Sequence, residues 1–455
     1  MDVSRLALVN SLDIQIARFD AYMARTSLGE AESIFDTFLN AEGSFSRDKG
    51  ATASTLLGTD SKSHSYSLGI EKKVPTGTTI EIEAAGTKTR SNSAFSSMNP
   101  YTDASLTATI TQELGKNFFG LSDRADIKIT KLDIENSDFT SLEDIEQALF
   151  DVQFAYWMLV RRQEELNIAE EMLDTAEELY NTYKEKYELG LAEETEFLAI
   201  EALLYSRRSN LLVAKSNRKT AKNNLLFLLN QGQFHYDVDA TEGFGFELEG
   251  VNLYQALKGA VENRRDYKRV SNKLKKNAIE IVVKKNALWP QIDLEASFSR
   301  NNIALERDKA WENLLEGAND EVSLTLTFSM PLENRKAKSQ LKKVNYQKAK
   351  LLLELKRTER LVLLEINDKV NEINTFKEQA ELYKATVKIQ AKKLEQQIKR
   401  LRFGRSNVDI LIDYEEDLLQ ARQQLAVKLF DYKVALISLD SITDSLLDKY
   451  WQEPL

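Results

Sequence analysis

No cysteine occurs in the 455 residues, so the chain can hold no disulfide, no thiolate metal site, no cysteine nucleophile and no lipid-bearing N-terminal cysteine. Proline is nearly as scarce. Its five copies, Pro75, Pro100, Pro290, Pro331 and Pro454, leave uninterrupted stretches far longer than an average helix needs. No run of about 18 apolar residues is present, which excludes a transmembrane helix. The apolar stretch within Met1 to Asn10 is too short for a secretory signal, so the chain reads as cytosolic or as a mature form. Acidic residues outnumber basic ones, 71 to 61, for a formal net charge of −10; that balance argues against a nucleic-acid surface. The two histidines, His64 and His235, have no ligand spacing around them. With no nucleophile, metal or phosphate constellation either, neither an enzyme nor a cofactor is expected.

What is present falls into two kinds of periodicity. Apolar and polar residues alternate between Phe38 and Leu114 and again between Trp289 and Pro331. In Gln291 to Ser299, Ile292, Leu294, Ala296 and Phe298 share one strand face, and Gln291, Asp293, Glu295, Ser297 and Ser299 the other. The segment from Glu321 repeats this with Val322, Leu324, Leu326, Phe328 and Met330, and stops at Pro331. Similar runs at Ala41–Ser46, Ser65–Lys72, Thr79–Ala84 and Ser105–Gln112 make six candidate strands. A tight Pro75-Thr76-Gly77-Thr78 turn joins the second and third; the other links read as polar loops of roughly 14 to 21 residues, such as Asn301 to Asp320. Short turns at one end and long loops at the other match an outer-membrane barrel, although a soluble sandwich predicts the same alternation.

The rest is helical. From about Leu121 to Leu189, Leu166, Ala169, Leu173, Ala176, Tyr180, Tyr183 and Tyr187 follow a 3,4 spacing, and a second helix after Gly190 runs to about Asn230. Arg335 to Leu401 repeats the first, Gly404 breaks it, and Leu411, Leu418, Leu425, Tyr432, Leu439 and Leu446 then recur every seventh residue. The two glycines lie 214 residues apart and each closes a hairpin that follows a strand segment, so the chain reads as an internal duplication. The segments are 1–37, an N-terminal helical part; 38–114, a first strand set; 115–230, a first hairpin with its tip at 190; 231–264, a connector; 265–288, a helix; 289–332, a strand pair; 333–447, a second hairpin with its tip at 404; and 448–455, a tail. Fewer than about eight strands cannot close a barrel alone, and long amphipathic helices need partners for their seams, so oligomerisation follows from the geometry. The competing reading is a soluble, elongated coiled-coil scaffold with small β modules and no transport role.

Four local patterns resemble the TolC-type outer-membrane efflux protein family. Leu257 to Tyr267, Leu-Lys-Gly-Ala-Val-Glu-Asn-Arg-Arg-Asp-Tyr, is similar to the family's Ala-Leu-x-x-Asn-Arg-Pro-Asp-Leu, with Arg265 where proline is usual. Leu326 to Leu332, Leu-Thr-Phe-Ser-Met-Pro-Leu, resembles the family's strand ending in Pro-Leu before a long helix; Glu113 stands where the first half would carry that proline. The hairpin tips, Tyr187 to Leu191 with Thr195-Glu196 and Arg402 to Gly404 with Val408 to Leu411, resemble its glycine turn followed by an acidic residue and an apolar helix. Leu288 to Leu294 resembles its Leu-x-Pro-x-Leu strand entry. The resemblance implies an α+β membrane protein: a homotrimer sharing one transmembrane β-barrel that a coiled-coil tunnel continues across the periplasm. It implies passive export from the outer membrane of a Gram-negative bacterium, a periplasmic adaptor, an inner-membrane transporter, contact with outer-membrane lipid, and a signal peptide already removed. Family members usually contribute four strands per subunit; with six here, either the barrel is larger or one hairpin lies outside it.

On that reading the gate is at the helical tips, where three copies of each acid converge. The candidates are Asp409 and Asp413, one helical turn apart, with Glu193, Glu194 and Glu196 on the other hairpin. The plainer alternative is that these acids stabilise the first turn of the helix after each glycine. Leu189, Gly190, Leu191, Phe403, Gly404 and Arg405 are the candidate adaptor contacts, against the alternative that the glycines only end a helix.

Overall fold

The computed structural model describes residues 2–51, 58–232, 239–317, 319–403, 405 and 407–451. His235, Gly404 and Pro454 lie outside them. The chain divides into two compact units: Met23–Asn136 with Val270–Glu354, and Met1–Tyr22 with Ser137–Arg269 and Leu355–Leu455.

The first of these carries a single six-stranded antiparallel sheet in chain order: β1 (Thr37–Asp48), β2 (Ser61–Val74), β3 (Thr78–Ser91), β4 (Tyr101–Glu113), β5 (Gln291–Ala304) and β6 (Asn319–Ser329). The extra hairpin is therefore part of the same sheet as the strand pair from the second half. Because side chains alternate, the unbroken register makes one face of the sheet mainly apolar and the other mainly polar. Leu39, Ile70, Ile82, Ala108, Phe298 and Val322 form one row across all six strands. The next row, on the other face, is Asn40, Gly69, Glu83, Thr107, Ser299 and Glu321. The apolar face is exposed: Ile70 is 52%, Val322 77% and Leu324 72% accessible. The polar face is acidic, with ten carboxylates, among them Glu71, Glu81, Glu295 and Glu321, against Lys73 alone among its described residues.

Three sequence expectations fail here. The ladders run on through Ser, Thr and Lys residues to Ser91 and Ala304, so the links β1–β2 and β3–β4 are shorter than alternation suggested. Asn301 to Asp320 is no loop, since β5 extends to Ala304 and a helix follows, α7 (Arg307–Glu316; α1 to α6 are placed below). Its Ala310 is buried against Ala104 and Ala304 with Trp311 packed beside them, and the Trp311 Nε1–H donates to the Tyr66 hydroxyl at 3.0 Å. Tyr66 in turn lies flat over Gly86, where a Cβ would come within 2.4 Å of the ring. Third, the seven-residue repeat outlasts its helix: the last long helix ends at Ile442, and Leu446 belongs to a separate short one, because Asp444 turns to φ +53°.

The helices are α1 (Asp2–Asn10), α2 (Leu12–Glu32), α3 (Leu121–Glu188), α4 (Glu194–Leu228), α5 (Leu253–Asn263), α6 (Arg265–Asn286), then α8 (Arg335–Arg402), α9 (Val408–Ile442) and α10 (Leu446–Tyr450). Every bound of the α8–α9 hairpin lies 214 residues after its counterpart in α3–α4, from Leu121 and Arg335 to Leu228 and Ile442. Within the helical unit, Ile145, Leu149, Val152 and Leu159 of α3 pack with Ile14 of α2, Leu225 of α4, Phe430 of α9 and Leu446. A second cluster joins Val362, Ile366 and Ile373 of α8 to Tyr432 and Leu439 of α9 and Ala260 of α5. The connector spans both. Phe244 and Phe246 lie against Trp157, and the Tyr432 hydroxyl donates to the Glu249 carbonyl at 2.9 Å and accepts from its N–H at 3.0 Å.

The Asn263 to Asp266 motif is the corner between α5 and α6. Proline suits the first helical position because it has no N–H to leave unpaired; here Arg265 uses that N–H to donate to Asp444 Oδ2 at 2.6 Å. Its guanidinium is bonded to Glu146, whose other oxygen accepts the Leu446 N–H at 2.8 Å. The departure from the family pattern thus supplies a tie from α6 to α3 and to the end of α9. Nearby, burial pushes the Glu143 carboxyl up to about 7 despite Arg269 at 2.9 Å.

Candidate channel gate and docking tips

The α3–α4 tip closes on a backbone motif. Gly190 has φ +70°; its N–H donates to the Tyr187 carbonyl at 2.9 Å and that of Leu191 to Lys186 at 2.7 Å, the paired bonds that end a helix in a left-handed residue. Among the described residues no atom outside its immediate neighbours lies within 4 Å of a Cβ built there, so conformation and not space selects glycine. At the second tip the Arg405 N–H reaches the Arg400 carbonyl at 3.0 Å, the same six-to-one bond. Leu189, Leu191 and Phe403 are 73%, 74% and 79% exposed, and Arg405 is exposed as well. Large apolar groups beside two helix ends are costly to leave in water, which makes them contact candidates.

The acids separate into two sets. Glu193 is the N-cap of α4, and Glu193 and Glu196 form a reciprocal capping box in which the Glu193 N–H donates to Glu196 Oε2 at 3.3 Å. In α9 the cap is Asn407, accepting from the Ile410 N–H at 3.3 Å. Glu193 and Asn407 are counterparts in the duplication. Asp409 and Asp413 are therefore free of capping duty. They lie opposite the buried stripe of Val408, Leu411, Glu415 and Leu418, exposed and without an ion pair among the described residues. Glu194 is likewise exposed in the first turn of α4.

The four helices meet behind the tips. Tyr183 of α3, Ile200 of α4 and Val408 of α9 are buried together against Leu401 of α8, and the Tyr187 and Phe197 rings stack at 5.1 Å. Two turns further along is a pair that pattern reading missed. Arg207 of α4, 3% exposed, reaches Glu415 of α9, 1% exposed, at 3.5 Å and Glu416 at 3.1 Å. Glu415 Oε1 and Arg207 Nε are both buried without a hydrogen-bond partner among the described residues. Burial pushes the Glu415 carboxyl up, with Arg207 opposing. The signal was available: Arg207 interrupts the apolar seam between Leu204 and Leu211, and Glu415 that between Leu411 and Leu418.

The outer membrane efflux protein family model matches residues 79–231 and 256–444. The chain belongs to that family. Its fold is shared with solved channels at low sequence identity. The Campylobacter jejuni CmeC outer membrane channel is 16% identical over 98% of this chain and 85% of that one, with a TM-score of 0.71. VceC, an outer membrane protein of Vibrio cholerae, is 16% identical over 99% and 95%, with a TM-score of 0.70. The open state of the Neisseria gonorrhoeae MtrE outer membrane channel is 15% identical over 98% and 89%, with a TM-score of 0.71. No curated protein matches the sequence. The sheet keeps an exposed apolar face beside an acidic one, and exposed apolar patches of this extent mark interaction surfaces.

Proposed function

We propose that three copies of this chain form an outer-membrane exit duct of a Gram-negative bacterium, with a periplasmic extension, serving a tripartite efflux or type I secretion system. The observation that carries this is a sheet with both edges open and one face apolar. β1 is exposed throughout and β6 nearly so, and among the described residues neither has a neighbouring strand on its far side. Such edges pair with another strand or aggregate. Joining β6 of one copy to β1 of the next removes all of them in a closed ring. With strands about 4.8 Å apart and tilted about 40°, eighteen strands close at about 36 Å across, against about 24 Å for twelve. The mainly apolar rows from Phe328 to Leu68, the last of which ends in the Arg300–Asp320 ion pair, span about 27 Å along the strands, about 21 Å after tilting, near the height of a barrel's lipid band.

The acidic face then lines the lumen and favours cationic or neutral cargo. The duct is passive, driven by an inner-membrane transporter through a periplasmic adaptor at the tips, with Asp409 and Asp413 converging at a constriction. Purified in detergent, the chain should run as a trimer and open discrete, cation-preferring conductances in a planar bilayer; a monomer that stays dispersed without detergent would establish the scaffold reading instead. For docking, Gly190→Asp should abolish export while the trimer still assembles, since the tip is remote in sequence from the sheet. If the trimer is lost as well, the glycine serves only to end α3.

A further inference from the structure

Beyond the apolar band, the same sheet face ends in cations. Arg47, Lys62 and Arg90 stand directly opposite one another across β1, β2 and β3, and the adjacent row is Phe45, His64 and Lys88. Like charges facing each other across strands are destabilising, and the residues opposite in a half-wet sheet are ordinarily of mixed sign. Asp60 engages Arg47 through two bonds, 3.0 and 2.6 Å. Lys62, Lys88 and Arg90 have no ion pair among the described residues, and Lys88 and Arg90 are exposed. At β4 and β5 this end of the face is covered by α7, whose Ala310 is buried there and whose Trp311 reaches Tyr66 of β2; nearer the ends of β1 to β3, Phe45, His64, Lys88 and Arg90 are exposed. The patch lies at the end of β2 and β3 away from the Pro75–Gly77 turn.

We infer that these two rows, through Lys62, Lys88 and Arg90, are a binding surface for the phosphates of an anionic lipid in the leaflet at that end of the barrel. The inference rests on the barrel reading, which puts this face toward lipid. Its chemistry is on the surface itself: a mainly apolar band for acyl chains, Tyr66 and Phe45 at the border, and Lys62, Lys88 and Arg90, none in an ion pair among the described residues, at headgroup level. Anionic headgroups attract each such cation independently and relieve the repulsion within the row.

The test uses the full chain in neutral detergent, titrated with lipid A carrying its two phosphates and with dephosphorylated lipid A. The phosphorylated form should bind about 100-fold more tightly and raise the unfolding temperature. Lys62→Gln with Lys88→Gln and Arg90→Gln should erase that preference while trimer and conductance persist, and should unfold at a higher temperature than the parent when no anionic lipid is present. Should the triple variant fail to assemble, Lys88→Gln alone, which faces only His64 and Thr102, should lose about fivefold. A retained preference in these variants, equal binding of the two lipids, or suppression by millimolar inorganic phosphate would overturn the assignment. Failure of the parent to form trimers or conduct counts against the duct alone, because the titration still reads the patch on the dispersed chain.

Discussion

Arg207→Ala is expected to destabilise the helical unit by about 3–5 kcal/mol, the largest effect of any single substitution argued here. The truncation would leave Glu415, 1% exposed, facing a lone methyl group across the α4–α9 interface with one oxygen already unpaired. The sign of the pH dependence follows. Burial holds the Glu415 carboxyl above its ordinary value, and removing Arg207 takes away the group that opposes this, so the native state comes to favour the protonated acid. Stability is then present below the unfolded carboxylate range and lost as pH rises through the elevated value. Denaturation of the variant should therefore show a larger deficit at pH 8 than at pH 5. Arg207→Leu with Glu415→Leu should be nearly neutral, since well-packed apolar groups of similar size replace a buried pair at little cost. A deficit below about 1 kcal/mol for Arg207→Ala would mean that the pair is solvated in the assembled protein.

The second large effect concerns conduction. Asp409→Ala with Asp413→Ala should raise single-channel conductance at least about twofold and weaken the preference for cations, because a ring of three copies places six carboxylates at one constriction. The change is separable from damage to the helix. Asn407 holds the α9 cap, so losing Asp409 removes only a first-turn charge, worth about 0.3–1 kcal/mol. Glu196→Ala is the matched control: it breaks the α4 capping box, should cost about 1 kcal/mol, and should leave conductance alone. Unchanged conductance in the aspartate pair would reject the gate.

These two sites differ in how far a sequence exposes them. Acids one turn apart after a glycine are visible as a string, and so is their alternative as helix caps; the structure divides them, giving capping to Glu193 and Glu196 and leaving Asp409 and Asp413 outward. Arg207 and Glu415 are each visible as a charge within an apolar stripe. Nothing local says that they meet, since 208 residues separate them. Likewise Arg265 is visible as a departure from the family pattern, while its partners Glu146 and Asp444 are far along the chain in both directions.

Period and punctuation are local, so six strands, four long helices and the 214-residue duplication were readable from residue spacing and from where proline and glycine fall. Strand ends and α7 were not, because Ser, Thr and Lys extend a ladder only when a neighbouring strand offers bonds, and Ala310 and Trp311 have a face to pack on only once Ala104 and Ala304 lie beneath them. Tertiary structure alone decided that strands from both halves share one register. That register puts ten carboxylates on one face and, on the other, Arg47, Lys62, Lys88 and Arg90 at one end, with Lys72 at the opposite end and the Arg300–Asp320 pair between, since a one-residue slip would reverse every side chain.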